Sequence, residues 1–366
     1  MKPVSIQHLV PPWLASLVPY QPGKPIEEVE REYGIRESIK LASNENPLGS
    51  SPRAVAALRA AIGDVHRYPD GGGFYLKQKL AGKLGVGADQ VALGNGSNEI
   101  LELLARSFLR PGDDAVMSEQ AFVIYASVVQ AAAGIPRAVP LRDFMHDLDA
   151  MAASIRKSTR LVFLGNPNNP TGTIYRRDAF ERFLRRVPSD VIIVADDAYA
   201  EYVEDPEYPQ TLEYQKPDRL LVTLRTFSKI YGLAGLRIGY GVGPAEVIAA
   251  LERIRQPFNV NSLAQAAALA ALDDEEHVER SRRTNRDGMR HLEREFERLG
   301  LAYVPSQANF ILVRVGDGAA VYEKLLRQGV IVRPMAGYAF PEHVRVTVGT
   351  AEENRRFVDA LEKTLG

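Results

Sequence analysis

The sequence predicts an α/β protein with a mostly parallel, doubly wound sheet in a large domain, a smaller C-terminal α+β domain and an N-terminal arm. Two observations predict this fold class. Short apolar runs alternate with amphipathic stretches between about residues 50 and 255, and a long polar stretch followed by short apolar runs replaces that pattern afterwards. Strands that alternate with helices form parallel sheets covered on both faces. We therefore predict an arm, which includes part of the small domain, at 1–45, a large domain at 46–255 and a small domain at 256–366.

The individual elements follow from the hydrophobic pattern. Short apolar runs are typical of buried strands, and we predict them at QVALGN (90–95), DDAVMS (113–118), RLVFLGN (160–166), DVIIVADDAY (190–199) and RLLVTLRTFS (219–228). Amphipathic spacing predicts helices at SNEILELLARSFL (97–109) and RRDAFERFLRRV (176–187). In the small domain, the charge-dense stretch 273–300 predicts a long helix with a solvated face, and the apolar runs ANFILVRV, VIVRP and VRVTVGT follow it, with a helix at YEKLLRQGV.

Composition narrows the class of protein. A chain of 366 residues is long enough for about two domains. The formal net charge is −1, so no global field favours nucleic acid or an anionic membrane. The absence of cysteine excludes disulfides, thiolate metal sites and cysteine nucleophiles, and we expect no metal. No apolar run approaches the ~18 residues of a membrane span, and prolines interrupt the N-terminal segment. We expect a cytoplasmic protein without nucleic-acid or membrane partners.

Polar or aromatic groups follow the predicted strands at the points where the strands end. GSNE, EQAF, PNNPTG, DDAY and FSK come after the five strands in chain order. Open α/β sheets bind ligands beyond the carboxyl ends of their strands. The sequence therefore predicts a ligand site at this edge of the sheet.

One of these turns favours an anion. Gly94–Asn98 (GNGSN) leads from a strand into a helix, whose exposed N–H groups and dipole attract negative charge. Ser228 and Arg237 offer a hydroxyl and a bidentate guanidinium for the same phosphate. The turn is not a dinucleotide fingerprint, because Glu99 stands where the third glycine of that motif is required. This argues against a nicotinamide dehydrogenase, which the sheet pattern alone would also fit.

A lysine in RTFSKIYGLAGLRIGY (225–240) completes the site. Lys229 lies among small and apolar residues, a setting that lowers a lysine pKa and favours the neutral, nucleophilic amine. Asp196 ends an apolar strand and needs a cationic partner there. Phe122 offers a flat face, and Asn169 and Tyr199 offer donors for a phenolate oxygen. A phosphate anchor, a stacking face, a carboxylate and a lysine together suit pyridoxal 5'-phosphate.

The chain resembles the fold-type-I, aspartate-aminotransferase-like enzymes that use pyridoxal phosphate, and within them the histidinol-phosphate aminotransferases. The resemblance runs nearly end to end and is carried by LVPYQPGKP (17–25), KLASNENPLGSSP (40–52), RYPD (67–70), GNGSNEILELL (94–104), NPNNPTG (166–172), ADDAYAEY (195–202), RTFSKIYGLAGLRIGY (225–240) and VRVTVGT (344–350). NPTG and SK-x₅-G-x-R-x-G are specific for the superfamily, whereas LVPY, SNENP, RYPD and VRVTVGT indicate the branch. The implied reaction interconverts histidinol phosphate and 2-oxoglutarate with imidazole-acetol phosphate and glutamate, in histidine biosynthesis.

The resemblance also implies roles for single residues. Lys229 matches the Schiff-base lysine and proton carrier, Asp196 the partner of the pyridine nitrogen, and Asn169 with Tyr199 the pair that hydrogen-bonds the cofactor's 3'-oxygen. Phe122 matches the aromatic residue that stacks on the ring. The phosphate cup is matched by residues of two turns: Gly96, Ser97, Asn98, Ser228 and Arg237.

Further matches concern the substrate and the assembly. Arg345, Arg333 and Tyr20 match residues that bind the substrate's phosphate, or the carboxylates of 2-oxoglutarate and glutamate. Tyr68 of RYPD matches a residue that reaches the phosphate of the neighbouring subunit, which implies a homodimer with shared active sites.

Two other functions stay open on the sequence, and a non-catalytic role is disfavoured. An aromatic amino-acid aminotransferase and a threonine-phosphate decarboxylase are the nearest rivals, because few side chains set specificity on a common fold. A decarboxylase would turn over without an amino acceptor. A non-catalytic relative would be expected to have lost Lys229, Asp196 or Arg237, and all three are present.

Overall fold

The computed structural model describes residues 6–366, which form two units, each built on its own sheet. The strands are β1 (Ile39–Lys40), β2 (Val91–Gly94), β3 (Asp114–Ser118), β4 (Ile135–Val139), β5 (Thr159–Gly165), β6 (Ile192–Asp196), β7 (Leu221–Thr226), β8 (Gly239–Val242), β9 (Tyr303–Val304), β10 (Phe310–Arg314), β11 (Val330–Ile331), β12 (Arg333–Pro334) and β13 (His343–Thr347). The α-helices are α1 (Pro12–Ala15), α2 (Ile26–Tyr33), α3 (Pro52–Ala61), α4 (Phe74–Leu84), α5 (Ser97–Phe108), α6 (Ile124–Ala131), α7 (Leu148–Ser154), α8 (Arg177–Arg186), α9 (Ala245–Ile254), α10 (Ser262–Ala271), α11 (Glu275–Arg298), α12 (Gly318–Leu326) and α13 (Ala351–Leu365).

The large unit is built on a seven-stranded sheet with the order β2-β8-β7-β6-β5-β3-β4. Neighbouring strands pair in parallel except at β8, which pairs antiparallel with both β2 and β7. The five strands predicted from apolar runs all form, and the predicted fold class is confirmed. Two strands were missed. β4 contains Pro136 and Arg137 and lies at an edge, where a proline is tolerated, and β8 is short and glycine-rich.

Helices cover both faces of this sheet. Along β6, Ile192 and Val194 pack in the core cluster that contains α5, α6 and α9, whereas Ile193 and Ala195 pack on the other side against α7 and α8. Successive residues of a strand point to opposite faces, so this division shows that the sheet is buried on both sides. It explains why the strands are continuous apolar runs rather than alternating ones.

The small unit is built on an antiparallel sheet with the order β12-β13-β10-β9. Helices α11 and α13 cover one face of it, where Leu292, Phe296 and Phe357 pack with Ile311 and Val313 of β10. The predicted polar helix is confirmed as α11, whose first turn is capped by the Asp274 side chain.

Two segments connect the units. In the N-terminal segment, Val29 of α2 packs with Leu326 and Ile331 of the small unit, and β1 pairs in parallel with β11. Helix α10 lies after residue 255 but packs with α3 and α4 of the large unit. Within residues 6–366, no helix is long and apolar enough to cross a membrane.

The fold brings the predicted ligand-binding turns together. Because β5, β6 and β7 run in parallel, the residues that follow them lie at one edge of the sheet. Strand β13 of the small unit faces the same edge, since Arg345 on β13 contacts Asn169 after β5. The junction of the two units is therefore where a site is expected.

Candidate active site

A cavity of about 400 Å³ lies at this junction. Its lining includes most of the residues singled out from the sequence, namely Tyr20, Ser97, Asn98, Phe122, Asn169, Asp196, Tyr199, Ser228, Lys229, Arg237, Arg333 and Arg345. Both sheets contribute to it, so the cavity exists only when the two units pack together.

Lys229 extends into the cavity just beyond the end of β7. Its Nζ donates to the Ser43 carbonyl at 3.2 Å and lies 5.5 Å from the centre of the Tyr199 ring. Burial, together with the positive charge of Arg345, lowers the pKa of Lys229 from 10.5 to about 8. The amine is therefore readily available in its neutral, nucleophilic form.

Asp196, the last residue of β6, lines the cavity and has one carboxylate oxygen without a hydrogen-bond partner in the described part of the chain. Its Oδ2 accepts a hydrogen bond from Tyr125 Oη at 2.8 Å, whereas its buried Oδ1 has no partner in residues 6–366. Burial raises the pKa of Asp196, and the hydrogen bonds from Tyr125 and the Ala198 N–H oppose that shift. A buried carboxylate oxygen without a partner is costly. It would be satisfied by a ligand that carries an N–H group or a positive charge.

A cradle for an anion forms at the start of α5. Gly96 precedes the helix at a φ of 76°, and a Cβ there would lie 2.6 Å from Nη2 of Arg237. Nη1 of Arg237 donates to Ser228 Oγ at 3.4 Å and to the Ala234 carbonyl at 2.9 Å. The helix N-terminus, a hydroxyl and a guanidinium thus converge, as phosphate binding requires.

Hydrogen bonds from neighbouring groups fix two further polar side chains. Tyr199 Oη accepts from Asn44 Nδ2 at 2.9 Å, and Asn169 Oδ1 accepts from Nη1 of Arg345. Burial raises the pKa of Tyr199, so the phenol stays protonated near neutral pH. Phe122 lies beside them and packs edge to face on Tyr125, with ring centres 5.7 Å apart.

Two arginines from the small unit line the opposite side. Arg345 is buried, donates to the Ala42 carbonyl at 2.8 Å, and keeps a buried Nε without a partner in residues 6–366. Arg333 lies over the Tyr20 ring at 5.5 Å and donates to the Gln21 carbonyl at 2.6 Å. This side of the cavity suits a second anion.

Two of the predicted site residues do not line the cavity. Gly96 lies behind Arg237, where its missing side chain leaves room for the guanidinium. Tyr68 is 83% exposed and stacks on Phe258 with ring centres 4.7 Å apart.

Several residues that line the cavity were not predicted from the sequence, and Asn44 and Tyr125 are two of them that make hydrogen bonds there. Asn44 lies in the quoted segment SNENP, and its left-handed backbone, with a φ of 56°, is one that asparagine tolerates. Tyr125 follows Phe122 by one helical turn and is buried. Neither has a local pattern that distinguishes it from a core residue.

The sheet order and the cavity between the two units are those of the fold-type-I class of pyridoxal-phosphate-dependent enzymes. The family described as "Aminotransferase class I and II" matches residues 36–361. The chain belongs to this family.

Similar proteins of known name share one description. The chain is 54% identical to "Histidinol-phosphate aminotransferase 2" of Pseudomonas aeruginosa over 98% of each chain, and 53% identical to "Histidinol-phosphate aminotransferase 1" of Nitrosococcus oceani over 95% of each. Among solved structures, histidinol-phosphate aminotransferase from Sinorhizobium meliloti in complex with pyridoxal-5'-phosphate is 28% identical. It superposes with a TM-score of 0.89 over 97% of this chain and 96% of that one.

Proposed function

We propose that this protein is a pyridoxal-phosphate-dependent aminotransferase that interconverts histidinol phosphate and 2-oxoglutarate with imidazole-acetol phosphate and glutamate, in histidine biosynthesis. The observation that carries the proposal is the arrangement of Lys229, Asp196 and Arg345 around one cavity. The relatives that share this description at more than half identity support the choice of substrate.

The residues of the cavity fit the cofactor. The unpaired Oδ1 of Asp196 would accept from the cofactor's ring N–H, and its negative charge would keep that nitrogen protonated. The cradle of Gly96, Ser97, Asn98, Ser228 and Arg237 would hold the phosphate. When bound, pyridoxal phosphate supplies an aldehyde that condenses with amines and a ring that accepts the electron pair of a broken Cα–H bond.

Lys229 carries out the proton transfer. It is the one lysine among the cavity-lining residues of the described chain. With the pKa of Lys229 near 8, its Nζ can take a proton from the substrate Cα and return it elsewhere at a pH close to neutral. The same neutral amine would attach the cofactor in the resting enzyme.

Three side chains orient the bound ring. Asn169 uses its Oδ1 to accept from Arg345, which leaves its amide N–H groups to donate into the cavity. Asn169 and Tyr199 would both donate to the anionic 3'-oxygen of the bound cofactor. Phe122 would stack on the ring face.

The arginines would bind the substrate's anion. Histidinol phosphate carries a phosphate ester, and 2-oxoglutarate carries carboxylates, both of which pair with a guanidinium. Arg345 and Arg333, together with Tyr20, line the cavity and would take this role. Both half-reactions would then use the same site.

A homodimer would complete the site. Tyr68 is exposed together with other large apolar residues near it in the chain, namely Ile62, Val65, Phe74 and Tyr75. An exposed apolar surface of this kind is typical of a protein interface, and a second copy would allow Tyr68 to reach the partner's phosphate cradle.

The division into domains at residues 45 and 255 and the cytoplasmic location stay predictions.

Spectral half-reactions test the proposed function. The purified, cofactor-loaded protein is mixed with one amino donor at a time: histidinol phosphate, phenylalanine, tyrosine or threonine phosphate. We expect histidinol phosphate to bleach the visible absorbance at the lowest concentration and 2-oxoglutarate to restore it. Preferential bleaching by an aromatic amino acid, or release of carbon dioxide from threonine phosphate without an acceptor, would contradict the proposal.

A further inference from the structure

Every polar atom of Asn44 has a hydrogen-bond partner, an arrangement that was not predicted from the sequence. It is 1% exposed, and its backbone has a φ of 56°. Its N–H donates to Thr347 Oγ1 at 2.9 Å, and its carbonyl accepts from Asn309 Nδ2 at 3.0 Å. Its side chain spans from Thr347, at 3.2 Å from Oδ1, to Tyr199, at 2.9 Å from Nδ2.

The donor and acceptor of each of these hydrogen bonds follow from the backbone N–H of Asn44. A backbone N–H can only donate, so Thr347 Oγ1 accepts from Asn44 and keeps its own hydrogen for another acceptor. Within residues 6–366 that acceptor is Asn44 Oδ1. The Asn44 amide is therefore oriented with its oxygen toward Thr347 and its nitrogen toward Tyr199.

The orientation of the Asn44 amide determines where the Tyr199 hydroxyl hydrogen points. Because Asn44 Nδ2 donates to Tyr199 Oη, the phenolic hydrogen has no acceptor on that side and is left to point elsewhere. Tyr199 lines the cavity, and no other acceptor for its hydroxyl is found in the described part of the chain. The phenol is thus held as a donor toward whatever anion the cavity binds.

We propose that Asn44 is a positioning residue of the active site, which together with Thr347 fixes Tyr199 as a hydrogen-bond donor to the ring oxygen of the bound cofactor. This inference rests on the proposed function. The hydrogen bonds of Asn44 also link the two units of the fold, because Thr347 belongs to β13 of the small unit and Tyr199 to the large unit. Thr347 lies two residues after Arg345, on the same side of β13. Strand β13, which carries Arg345, would therefore also determine that the Tyr199 hydroxyl donates into the cavity.

Asn44→Asp tests the direction of the chain of hydrogen bonds. Aspartate keeps the size and tolerates the left-handed backbone, but an ionised carboxylate only accepts, so it would draw the Tyr199 hydrogen away from the cavity. The readout is the pH midpoint of the visible absorbance of the pyridoxal-phosphate-loaded protein. We expect that midpoint to rise by about one pH unit, because the anionic ring oxygen loses a donor.

A matched pair at Thr347 tests the second link. Thr347→Val removes the hydroxyl that orients the Asn44 amide and should raise the midpoint in the same direction. Thr347→Ser keeps the hydroxyl and should restore the wild-type midpoint. In a Tyr199→Phe background, Asn44→Asp should shift the midpoint less than it does with Tyr199 present, because only the charge of the new carboxylate then remains.

Asn354→Asp is the control for a merely structural effect. Asn354 is a buried asparagine of the small unit that bonds to both backbone groups of Gly349 and lies outside the cavity lining. This variant should lower the melting temperature without moving the midpoint. An unshifted midpoint in Asn44→Asp, or equal midpoints in Thr347→Val and Thr347→Ser, would overturn the proposal. If Asn44→Asp fails to fold, the Thr347 pair decides alone. A wild-type protein that takes up no pyridoxal phosphate would instead refute the proposed function.

Discussion

Lys229 takes its chemistry from its position at the end of a buried strand. The surrounding protein removes water from the ammonium group and places Arg345 near it, and both effects favour the neutral amine. The carboxylates of Glu45 and Asp196 act in the opposite direction and limit the shift. The balance leaves a pKa near neutrality, where an amine can both accept and release a proton.

The pH dependence of cofactor attachment follows from this pKa. The pKa of Lys229 is lowered to about 8, so the neutral fraction rises with pH through 8 and is nearly complete at 9. The rate at which the cofactor-free protein takes up pyridoxal phosphate should rise over the same interval and then level off. Stopped-flow absorbance measures it. A rate that continues to rise through pH 10 would show an ordinary, solvated lysine.

Replacement of Asp196 by asparagine should weaken cofactor binding. An amide cannot stabilise a protonated ring nitrogen, so we expect a loss of affinity on the order of 10- to 100-fold and slower turnover. Equilibrium titration of the cofactor-free variant gives the affinity. Tyr125→Phe removes the hydrogen bond but keeps the carboxylate, and it should have a smaller effect. Equal affinities for Asp196→Asn and wild type would remove Asp196 from this role.

The sequence revealed some of these residues and hid others for a physical reason. Lys229 and Asp196 each end an apolar strand, so a polar residue there stands out locally. Asn44 and Tyr125 act through partners 155 and 71 positions away, and no local pattern indicates such pairs. Only the packing of the two units shows them.

At the scale of elements, the turn from β2 into α5 shows why a glycine is required. Gly96 has a φ of 76° and a ψ of 167°, a combination that essentially only glycine adopts, and a methyl group there would lie 2.6 Å from the Arg237 guanidinium. We expect Gly96→Ala to lose about 1 kcal/mol of stability from the backbone and to bind cofactor more weakly because Arg237 must move.

Gly85→Ala is the matched control. Gly85 ends α4 with a φ of 68° and has nothing within 4 Å of an added Cβ. Because alanine is strained at this left-handed position, Gly85→Ala should also lose stability, measured by thermal unfolding, but its cofactor affinity should be unchanged. Equal affinities in the two variants would separate Gly96 from the cradle.

His146 joins the ends of two strands and makes stability depend on pH. Its Nε2 donates to the Gly165 carbonyl at 2.8 Å, and its Nδ1 lies 2.5 Å from Ser118 Oγ. Burial lowers the pKa of His146 from 6.5 to about 4. The unfolded chain therefore binds the proton more readily, and stability is lost as pH falls from 6.5 toward 4, by roughly 3 kcal/mol.

Comparison with His146→Gln isolates this contribution. Glutamine does not titrate, so the free energy of unfolding of the variant should fall less between pH 6.5 and 4. Urea titrations at several pH values measure the difference. Parallel pH profiles of the two proteins would show that His146 is not the group responsible.

Prediction of the elements succeeded where burial makes the pattern simple. β5, β6 and β7 are covered on both faces and are continuous apolar runs. β4 and β8 lack such runs, because an edge position tolerates Pro136 and close packing favours the glycines of β8. These exceptions arise from tertiary position, which a local pattern does not contain.

At the scale of the whole molecule, the exposed aromatic surface around Tyr68 is the feature that a single chain leaves unexplained. We expect Tyr68→Ala and Lys229→Ala to be nearly inactive when pure. Hybrid dimers of the two would contain one intact site, made from Lys229 of one chain and Tyr68 of the other. Co-refolding equal amounts should recover roughly a quarter of wild-type activity, since half the dimers are hybrids with one intact site of two.

Tyr68→Ala mixed with itself serves as the control and should recover nothing. Sedimentation of the same samples reports whether dimers form. Dimers without recovered activity would contradict a shared site, and a monomeric active protein would contradict the dimer.

The overall architecture was predictable because periodicity and the order of elements are properties of the chain. The relation between the two units was not. Helix α10 follows the predicted boundary at residue 255 but packs on α3 of the large unit. Such contacts depend on which surfaces remain apolar after each sheet has formed.

The proposed function requires that Lys229 attach the cofactor. Borohydride reduction of the pyridoxal-phosphate-loaded protein, followed by peptide mass mapping, tests it directly. We expect one stable pyridoxyl group per chain, on the peptide that contains Lys229. A modification on another lysine, or none after reduction of a visibly yellow protein, would contradict it.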